Sequence, residues 1–435
     1  MKKRLLYLLF FPLDIALSIF ILLYTFTVRV MFLIFGKRAG SSGRTILYLS
    51  SGSNVKATLR KFGSLDPLVN YDGPAVNDFF RKQVLFWFPA PVNAYNKPCE
   101  FYEIYESKLP AGILYLTGTA VFFLKLCVLA KKERFSVIRA WDPYLCALAG
   151  WALARISGVP FCVSVHADHD KRYELDGLKG GQGYFGSRRI AKAMERFVLR
   201  RADIVMPIRE SLGEYSIRNG ARRETVRIIP HGIDLSPFRK EIDQNFRKDI
   251  GAGEKKLVTF AGRISRENYI YDVLEIAKEL KKERSDLLFL VIGGGSEEED
   301  VKKRIKSDNT DDIIKLLGFQ PKEKVIVCRM NSCVNLCLMG GFSLIEAAAS
   351  GRPVIAYDVE WHYELVKDGE TGFLIKEGDT AAAAQKIGYL LDHPEIAAKM
   401  GENAKRLAFE RHSLEETSKI KVKHYRELIE KHAKN

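Results

Sequence analysis

Short apolar runs alternate with helical patterns in two separate series along this 435-residue chain. The helical stretch 143–158 shows the pattern clearly: it closes on Gly158, Pro160 follows, and an apolar run comes next. Repeated strand–helix–strand units predict parallel sheets covered by helices, so the two series predict two α/β domains. The predicted strands are residues 45–50, 112–118, 137–141, 161–166 and 203–208 in the first series, and 256–262, 287–295, 312–319, 334–339 and 353–358 in the second.

Residues 1–40 predict a membrane anchor. The segment 5–35 carries only two charges, Asp14 and Arg29, and about 20 apolar residues suffice to span a bilayer core. A cleavable signal peptide would have a shorter apolar core of ~7–15 residues, so we expect a permanent anchor. Pro12 leaves a kinked or re-entrant helix as an alternative to a straight span. Basic residues flank the segment on both sides, so charge does not fix its orientation.

The excess positive charge lies in the first half of the chain. Of the net charge of +15, residues 1–44 contribute 7 basic and 1 acidic side chains, residues 45–230 contribute 27 and 17, and residues 231–435 contribute 34 and 35. Nucleic acid or an anionic membrane would attract a half-chain with this excess of positive charge. The predicted anchor favours the membrane. The basic stretches also lack interleaved aromatic platforms for base stacking, so we expect no nucleic-acid partner.

The stretch 187–203 predicts a basic amphipathic helix. Beside a membrane anchor, such a face is suited to anionic headgroups, although a merely solvated face is the alternative. The predicted basic face holds Arg189, Lys192, Arg196 and Arg200, and the apolar face holds Ile190, Met194, Phe197 and Val198.

A glycine turn at 340–346 follows a predicted buried strand and leads into a helix. Helix N-termini present free N–H groups and a partial positive charge, which suit phosphate, and glycines let a ligand approach the backbone. The alternative is an ordinary turn in which Ser343 caps the helix and Glu346 completes an S-x-x-E capping box.

Three further strand ends carry candidate residues. Arg263 follows a strand and has the planar fork that suits a bidentate phosphate contact, against a surface arginine as the alternative. The loop 293–300 opens a helix with four acids, which repel phosphate, so it is assigned at most to the sugar or base end of a nucleotide, with a glycine turn that holds no ligand as the alternative. In 165–170, His166 would bind substrate directly, whereas Asp168 and Asp170 form a weak D-x-D metal pattern.

Several common cofactor and catalytic motifs are absent from the sequence. No G-x-G-x-x-G follows the first strand, and neither G-x-x-x-x-G-K-[ST] nor G-x-S-x-G occurs, so no cofactor is expected. The seven cysteines form no C-x-x-C pair, which favours reduced, buried thiols over metal ligands.

Taken in order, six stretches of this chain resemble the family 4 glycosyltransferases of the two-Rossmann (GT-B) fold. The resemblance covers roughly residues 45–430 and is strongest in the second half. The stretches are residues 195–238, "FAGRISRENYIYDVLEIAKEL" (260–280), "VIGGGSEEEDVKK" (291–303), "LLGFQPKEKV" (316–325), "GFSLIEAAASGRPVIAYD" (341–358) and "ELVKDGETGFLI" (364–375).

The resemblance implies two Rossmann-like domains facing a cleft, with retention of anomeric configuration and no obligatory metal. An acceptor-binding domain would span 41–230, a nucleotide-sugar-binding domain 231–412, and a last helix, 413–435, would cross back onto the first domain. Arg263 would neutralise the donor pyrophosphate, Glu346 would bind the ribose hydroxyls, and the N–H groups of Ser343 and Leu344 would hold phosphate. Phe319 would line the base and His166 would contact the transferred sugar. The implied catalytic residues are His166 and Arg263, and the implied substrate-binding residues are Arg266, Gly293, Gly294, Gly318, Phe319, Gly341, Phe342, Ser343, Leu344 and Glu346.

Two positions depart from the family pattern. The usual lysine five residues after the arginine is Asn268, and the usual first glutamate, eight residues before Glu346, is Leu338. The sugar-binding acid is therefore missing, and leaving-group stabilisation would depend on Arg263, helped by Arg266.

These observations predict a membrane-anchored glycosyltransferase with its catalytic domains in the cytoplasm. It would move a sugar from a nucleotide-diphosphate sugar to a lipid-linked or cell-surface glycan acceptor. The alternative is a catalytically decayed scaffold that binds nucleotide or glycan at the membrane as a sensor or assembly protein.

Overall fold

A computed structural model describes residues 44–51, 72–88, 99–102, 133–176, 187–241 and 245–434, with single positions at 23, 126, 129 and 130. The chain divides into two compact units, one of residues 1–231 with 417–435 and one of residues 232–416. The predicted anchor, apart from position 23, and the predicted strand 112–118 lie outside the described residues. Among the residues described, no helix is both long and apolar enough to cross a membrane.

The first unit contains a six-stranded parallel sheet in the order β3-β2-β1-β4-β5-β6. Four predicted strands are confirmed, and two, β2 and β3, were not predicted because β2 opens with Lys82 and Gln83 and β3 has only four residues. The strands are Thr45–Ser51 (β1), Lys82–Phe88 (β2), Cys99–Tyr102 (β3), Val137–Ala140 (β4), Phe161–Val165 (β5) and Ile204–Pro207 (β6). The helices are Pro74–Phe79 (α1), Leu145–Ser157 (α2), His169–Asp176 (α3), Arg188–Arg201 (α4) and Glu210–Arg218 (α5).

Helix α2 shows why this sequence gives a covered sheet. Its alanine-rich stretch is almost entirely buried, and it ends at Gly158 with φ 67°, the left-handed conformation that a glycine adopts at little cost. A Cβ at Gly150 would lie 2.9 Å from both Leu49 Cδ1 and Phe161 Cε2. The glycine thus lets the helix pack directly on β1 and β5.

Helix α4 has the predicted basic surface in part. Arg189, Arg196 and Arg200 are exposed, but Lys192 turns inward and pairs with Asp170 at 2.8 Å. The prediction that Lys192 lies on the exposed face is therefore wrong, because its ammonium group pairs with Asp170 and Glu195 in a mostly buried position.

The second unit contains a parallel sheet in the order β12-β11-β10-β7-β8-β9. Its five predicted strands are confirmed, and β12 is added at one edge. The strands are Lys256–Ala261 (β7), Leu287–Ile292 (β8), Ile314–Gly318 (β9), Val334–Leu336 (β10), Val354–Tyr357 (β11) and Gly372–Ile375 (β12). The helices are Phe246–Asp249 (α6), Ile270–Glu283 (α7), Glu298–Ser307 (α8), Lys322–Asn331 (α9), Phe342–Ala349 (α10), His362–Leu365 (α11), Thr380–Asp392 (α12) and Pro394–His412 (α13). The two Rossmann-like units confirm the prediction of two parallel-sheet α/β domains.

The strand order reverses between β7 and β10, because β8 and β9 extend the sheet in one direction and β11 and β12 in the other. At such a switch point the loops after the two central strands diverge and leave room for a ligand at the carboxyl edge of the sheet. A ligand site is therefore expected at this edge of the second unit.

A buried ion network fixes the last helix, Leu414–Lys434 (α14), to the first unit. Asp72 accepts from Arg139 Nη1 at 2.6 Å and from Lys421 Nζ at 2.7 Å, and Tyr425 Oη lies 2.8 Å from the same Arg139 nitrogen. Burial alone would raise the pKa of Asp72, but Arg139 and Lys421 reverse that effect and hold the pKa well below its ordinary value. Strand β4 and helix α14 are thus joined through one carboxylate.

We expect Asp72→Asn to destabilise the chain by about 3–5 kcal/mol, because it leaves two buried cations without their counter-ion. Urea unfolding of the full chain measures this loss. Asp78→Asn is the matched control, since Asp78 is exposed on α1, the helix that follows Asp72, and should change stability by less than about 0.5 kcal/mol. Equal effects of the two substitutions would contradict the role given to Asp72.

Candidate active site

The loops after β7 and β10 bring together the residues expected to bind phosphate. Arg263 lies two residues beyond β7, and the glycine turn 340–341 leads from β10 into α10. The Ser343 hydroxyl on α10 donates to the carbonyl of Ala261, the last residue of β7, at 2.8 Å. A direct hydrogen bond therefore joins the two loops at the switch point.

Ser343 does not cap helix α10. The helix begins at Phe342, its cap position is Gly341, and no side chain caps it. Besides donating to Ala261, the Ser343 hydroxyl accepts from Arg329 Nη2 at 2.9 Å. The capping-box alternative is therefore wrong, because partners from β7 and α9 engage the serine.

The amides of this turn differ in availability. The Leu344 N–H donates to the Gly341 carbonyl at 3.2 Å within the turn, and its role in holding phosphate stays a prediction. The Ser343 N–H has no acceptor among the described residues. A Cβ at Gly340 would lie 2.5 Å from Cys337 Sγ, whereas a Cβ at Gly341 would meet nothing within 4 Å. The open side of the turn is thus at Gly341 and the Ser343 amide.

His362, which no sequence pattern singled out, holds the base of the turn. Its ring is fully buried. Nε2 accepts from the Gly340 N–H at 3.1 Å, and Nδ1 lies 2.8 Å from the Tyr357 carbonyl. Burial lowers the pKa of His362, so the ring is neutral at pH 7 and carries its proton on Nδ1.

Arg263 is exposed, and its guanidinium has no hydrogen-bond or ion-pair partner within the part of the chain that is described. Asn268, in the position of the usual lysine, donates to the Arg263 carbonyl at 2.9 Å and so braces the loop. Arg266 pairs with Glu297 at 3.2 Å and lies over the Tyr271 ring. The expectation that Arg266 assists Arg263 is not supported by this geometry, because Arg266 is directed towards α8.

The glycine run 293–295 packs against the loop after β7. Gly293 has φ 140°, and a Cβ there would lie 1.8 Å from the Gly262 carbonyl oxygen. A Cβ at Gly295 would lie 2.1 Å from the Ile264 carbonyl oxygen, whereas one at Gly294 would meet only Glu298, at 3.6 Å. Close backbone packing therefore explains two of these glycines without a ligand.

The residues predicted for the ribose and base lie along the same edge. Glu346 is in the second half of α10, 3.7 Å from Lys322 Nζ at the start of α9. Phe319 follows Gly318, which has φ 64°, and is 86% exposed. Phe342, at the start of α10, is 50% exposed. Two aromatic rings that precede the carboxylate in sequence are thus open to solvent.

In the first unit, the His166 ring stacks on His231 with centroids 5.2 Å apart. Burial, and then His231, hold the pKa of His166 well below its ordinary value, so the ring is neutral at pH 7. Asp168 accepts from two backbone N–H groups of α3, and Asp170 pairs with Arg188 and Lys192. Both acids of the D-x-D pattern thus have structural partners.

Two family models match the chain. "Glycosyl transferases group 1" matches residues 242–407, and "Glycosyltransferase Family 4" matches residues 92–237. The alpha-D-kanosaminyltransferase of Streptomyces kanamyceticus is 27% identical over 303 residues, which cover 66% of this chain and 74% of that protein. The 2-deoxystreptamine glucosyltransferase of the same organism is 26% identical over 264 residues, which cover 57% and 65%.

Among solved structures, Anabaena HepE in complex with UDP is similar in fold, with a TM-score of 0.68 and 17% identity. The match covers 88% of this chain and all of HepE. This likeness shows the GT-B fold of two Rossmann-like units. The two family models and the curated relatives show that the chain is a glycosyltransferase enzyme.

We expect Gly293→Ala to destabilise the chain by about 1–3 kcal/mol, because the new Cβ must displace the loop after β7 and adopt a conformation that L residues disfavour. Urea unfolding measures the loss. Gly294→Ala, one residue away with room for a Cβ, should change stability by less than about 0.5 kcal/mol. A Gly294→Ala effect as large as that of Gly293→Ala would refute the packing explanation.

Proposed function

We propose that the second unit binds a nucleoside-diphosphate sugar and that the enzyme transfers the sugar to an acceptor hydroxyl with retention of configuration. The observation that carries this proposal is that Arg263, exposed and without a hydrogen-bond or ion-pair partner among the described residues, lies on a loop that a hydrogen bond joins to the open helix N-terminus at Gly341 and Ser343. The HepE structures with UDP and with UDP-glucose support a uridine nucleotide as the first donor to test.

In this reaction the bond between the anomeric carbon and the diphosphate breaks, and the acceptor oxygen bonds to the same carbon. The acceptor hydroxyl loses its proton and the nucleoside diphosphate departs. Arg263 and the Ser343 N–H would stabilise the negative charge that develops on the leaving group. Glu346 would accept hydrogen bonds from the ribose hydroxyls, and Phe319 would lie against the base. A role for His166 at the transferred sugar stays a prediction.

The sugar end of the site has an unusual composition for the family. Leu338, at the position of the usual first glutamate, is fully buried in the core of the second unit. A buried leucine has no means of binding a sugar hydroxyl, so recognition of the donor sugar must use other groups.

Arg263→Ala and Glu346→Ala should each weaken UDP binding about tenfold or more, because each removes a charged hydrogen-bonding group worth about 1.5–3 kcal/mol. Isothermal titration with UDP and GDP, together with release of nucleoside diphosphate from a panel of nucleotide sugars, measures the effect. Arg266→Ala is the matched control, since Arg266 pairs with Glu297.

Unchanged binding and turnover in both variants would refute this site. Binding without turnover over a broad donor and acceptor panel would support the alternative of a non-catalytic nucleotide-binding scaffold.

We also propose that the enzyme works at the cytoplasmic face of a membrane on a lipid-linked or cell-surface glycan acceptor. The apolar segment 1–40 and the basic first half of the chain motivate this. The exposed arginines of α4 add support. Arg155 on α2 belongs to the same cluster, because its charge acts on Arg201 of α4: burial, and then the charges of Arg200 and Arg155, lower the pKa of Arg201. Such clustered guanidinium groups attract anionic headgroups.

In nanodiscs that contain phosphatidylglycerol, the amides of α4 should exchange hydrogen more slowly than in nanodiscs of phosphatidylcholine alone. The triple variant Arg189→Gln, Arg196→Gln and Arg200→Gln should lose this difference, because each basic residue contributes about 1 kcal/mol of attraction. The matched control neutralises Lys302, Lys303 and Lys306 on α8.

Equal hydrogen exchange of α4 in both lipids would contradict the membrane contact of α4. Release of the wild-type chain from membranes by alkaline carbonate would contradict the anchor.

A further inference from the structure

Arg329 on α9 is a buried cation without a carboxylate partner. Its side chain is 1% exposed. Nη2 donates to the Ala261 carbonyl at 3.1 Å and to the Ser343 hydroxyl at 2.9 Å. The other two nitrogens, Nε and Nη1, are buried and have no hydrogen-bond partner among the described residues. Burial lowers the pKa of Arg329, but a guanidinium in a protein keeps its proton.

Such a residue is costly for folding. A buried charge is normally paired, and unsatisfied donors on it add a desolvation penalty. The comparably buried Arg139 in the first unit has Asp72, Tyr425 and Ser164 as partners. Arg329 has only a carbonyl and a hydroxyl, so the fold gains little from its charge.

The position of Arg329 suggests what the charge does. Its two partners end β7 and begin α10, which are the two elements that form the open turn at Gly341. Glu346 lies one helical turn after Ser343 on α10. Its carboxylate interacts electrostatically with the Arg329 guanidinium, but no ion pair joins the two side chains in the described chain. The guanidinium therefore adds a positive charge directly behind the helix N-terminus.

This charge would complement Arg263. Near the open turn, Arg266 is paired with Glu297 and Asn268 is neutral. We propose that Arg329 is a positioning residue that supplies, through Ser343 and through its electric field, a second positive charge to the diphosphate of the donor. This inference rests on the proposed function. In a low-dielectric interior a fixed charge acts on a nearby phosphate without touching it.

A purely structural role for Arg329 makes a different prediction. The Ser343 hydroxyl already donates to the Ala261 carbonyl at 2.8 Å, so the two loops stay joined when Arg329 is replaced by an apolar side chain. If Arg329 served only to hold the two loops together, its replacement by an apolar side chain would lower stability. If it serves the phosphate, replacement removes an unpaired buried charge and leaves stability equal or higher.

The test compares UDP with uridine on full-length wild type and Arg329→Met by isothermal titration. We expect UDP affinity to fall about tenfold while uridine affinity is unchanged, with an equal or higher midpoint of urea unfolding. Arg329→Lys should recover part of the UDP affinity, because it restores the charge. Arg352→Met is the matched control: Arg352 is a half-buried arginine in the loop before the amino end of β11, and it donates to the Met330 carbonyl on α9.

Equal UDP affinity in wild type and Arg329→Met, with UDP affinity still dependent on Arg263, would overturn this inference and leave the proposed function standing. So would a parallel loss of UDP affinity, uridine affinity and stability. A wild-type chain that binds neither UDP nor GDP would overturn both proposals.

Discussion

The reversal of strand order between β7 and β10 is the constraint on which the candidate site depends. Parallel strands aim their carboxyl ends at one edge, and the loops there diverge only at this point. Arg263 and the glycine turn belong to the loops after these two strands, although nearly 80 positions separate them. The Ser343–Ala261 hydrogen bond then fixes one loop against the other. The geometry of the site thus follows from topology first and from side chains second.

Glycine has two different functions at this edge. Gly293, Gly295 and Gly340 allow backbone or side-chain atoms to approach within distances that a Cβ would forbid, so they hold the loops together. Gly341 has empty space where a Cβ would stand. Only the second kind of glycine leaves room for a ligand. Sequence letters alone do not separate the two kinds, because the difference lies in which atoms from other loops come near.

The sequence predicted the fold well wherever burial left a local pattern. Buried parallel strands appear as apolar runs, and the glycine at the end of α2 is a direct stop signal. Strand β2 was not predicted because its first two side chains are polar. In the site, Arg263 and the glycine turn could be selected from their places after strands. Arg329 and His362 could not, since their partners lie 14 to 68 and 5 to 22 residues away, with no repeating spacing. The capping box at Ser343 was wrong for a related reason: the serine hydroxyl donates to the Ala261 carbonyl, which is distant in sequence.

The two units deal with a buried arginine in opposite ways, and the contrast bears on function. In the first unit a carboxylate, a phenol and a serine satisfy Arg139, and the network joins the sheet to the last helix. In the second unit Arg329 keeps two nitrogens without hydrogen-bond partners in the part of the chain that the structure describes. A local acid would satisfy Arg329 and stabilise the fold, but it would also cancel the field at the helix N-terminus. An anionic ligand that arrives at the turn can supply part of that missing counter-charge. Unsatisfied charge in the free protein therefore becomes binding energy in the complex.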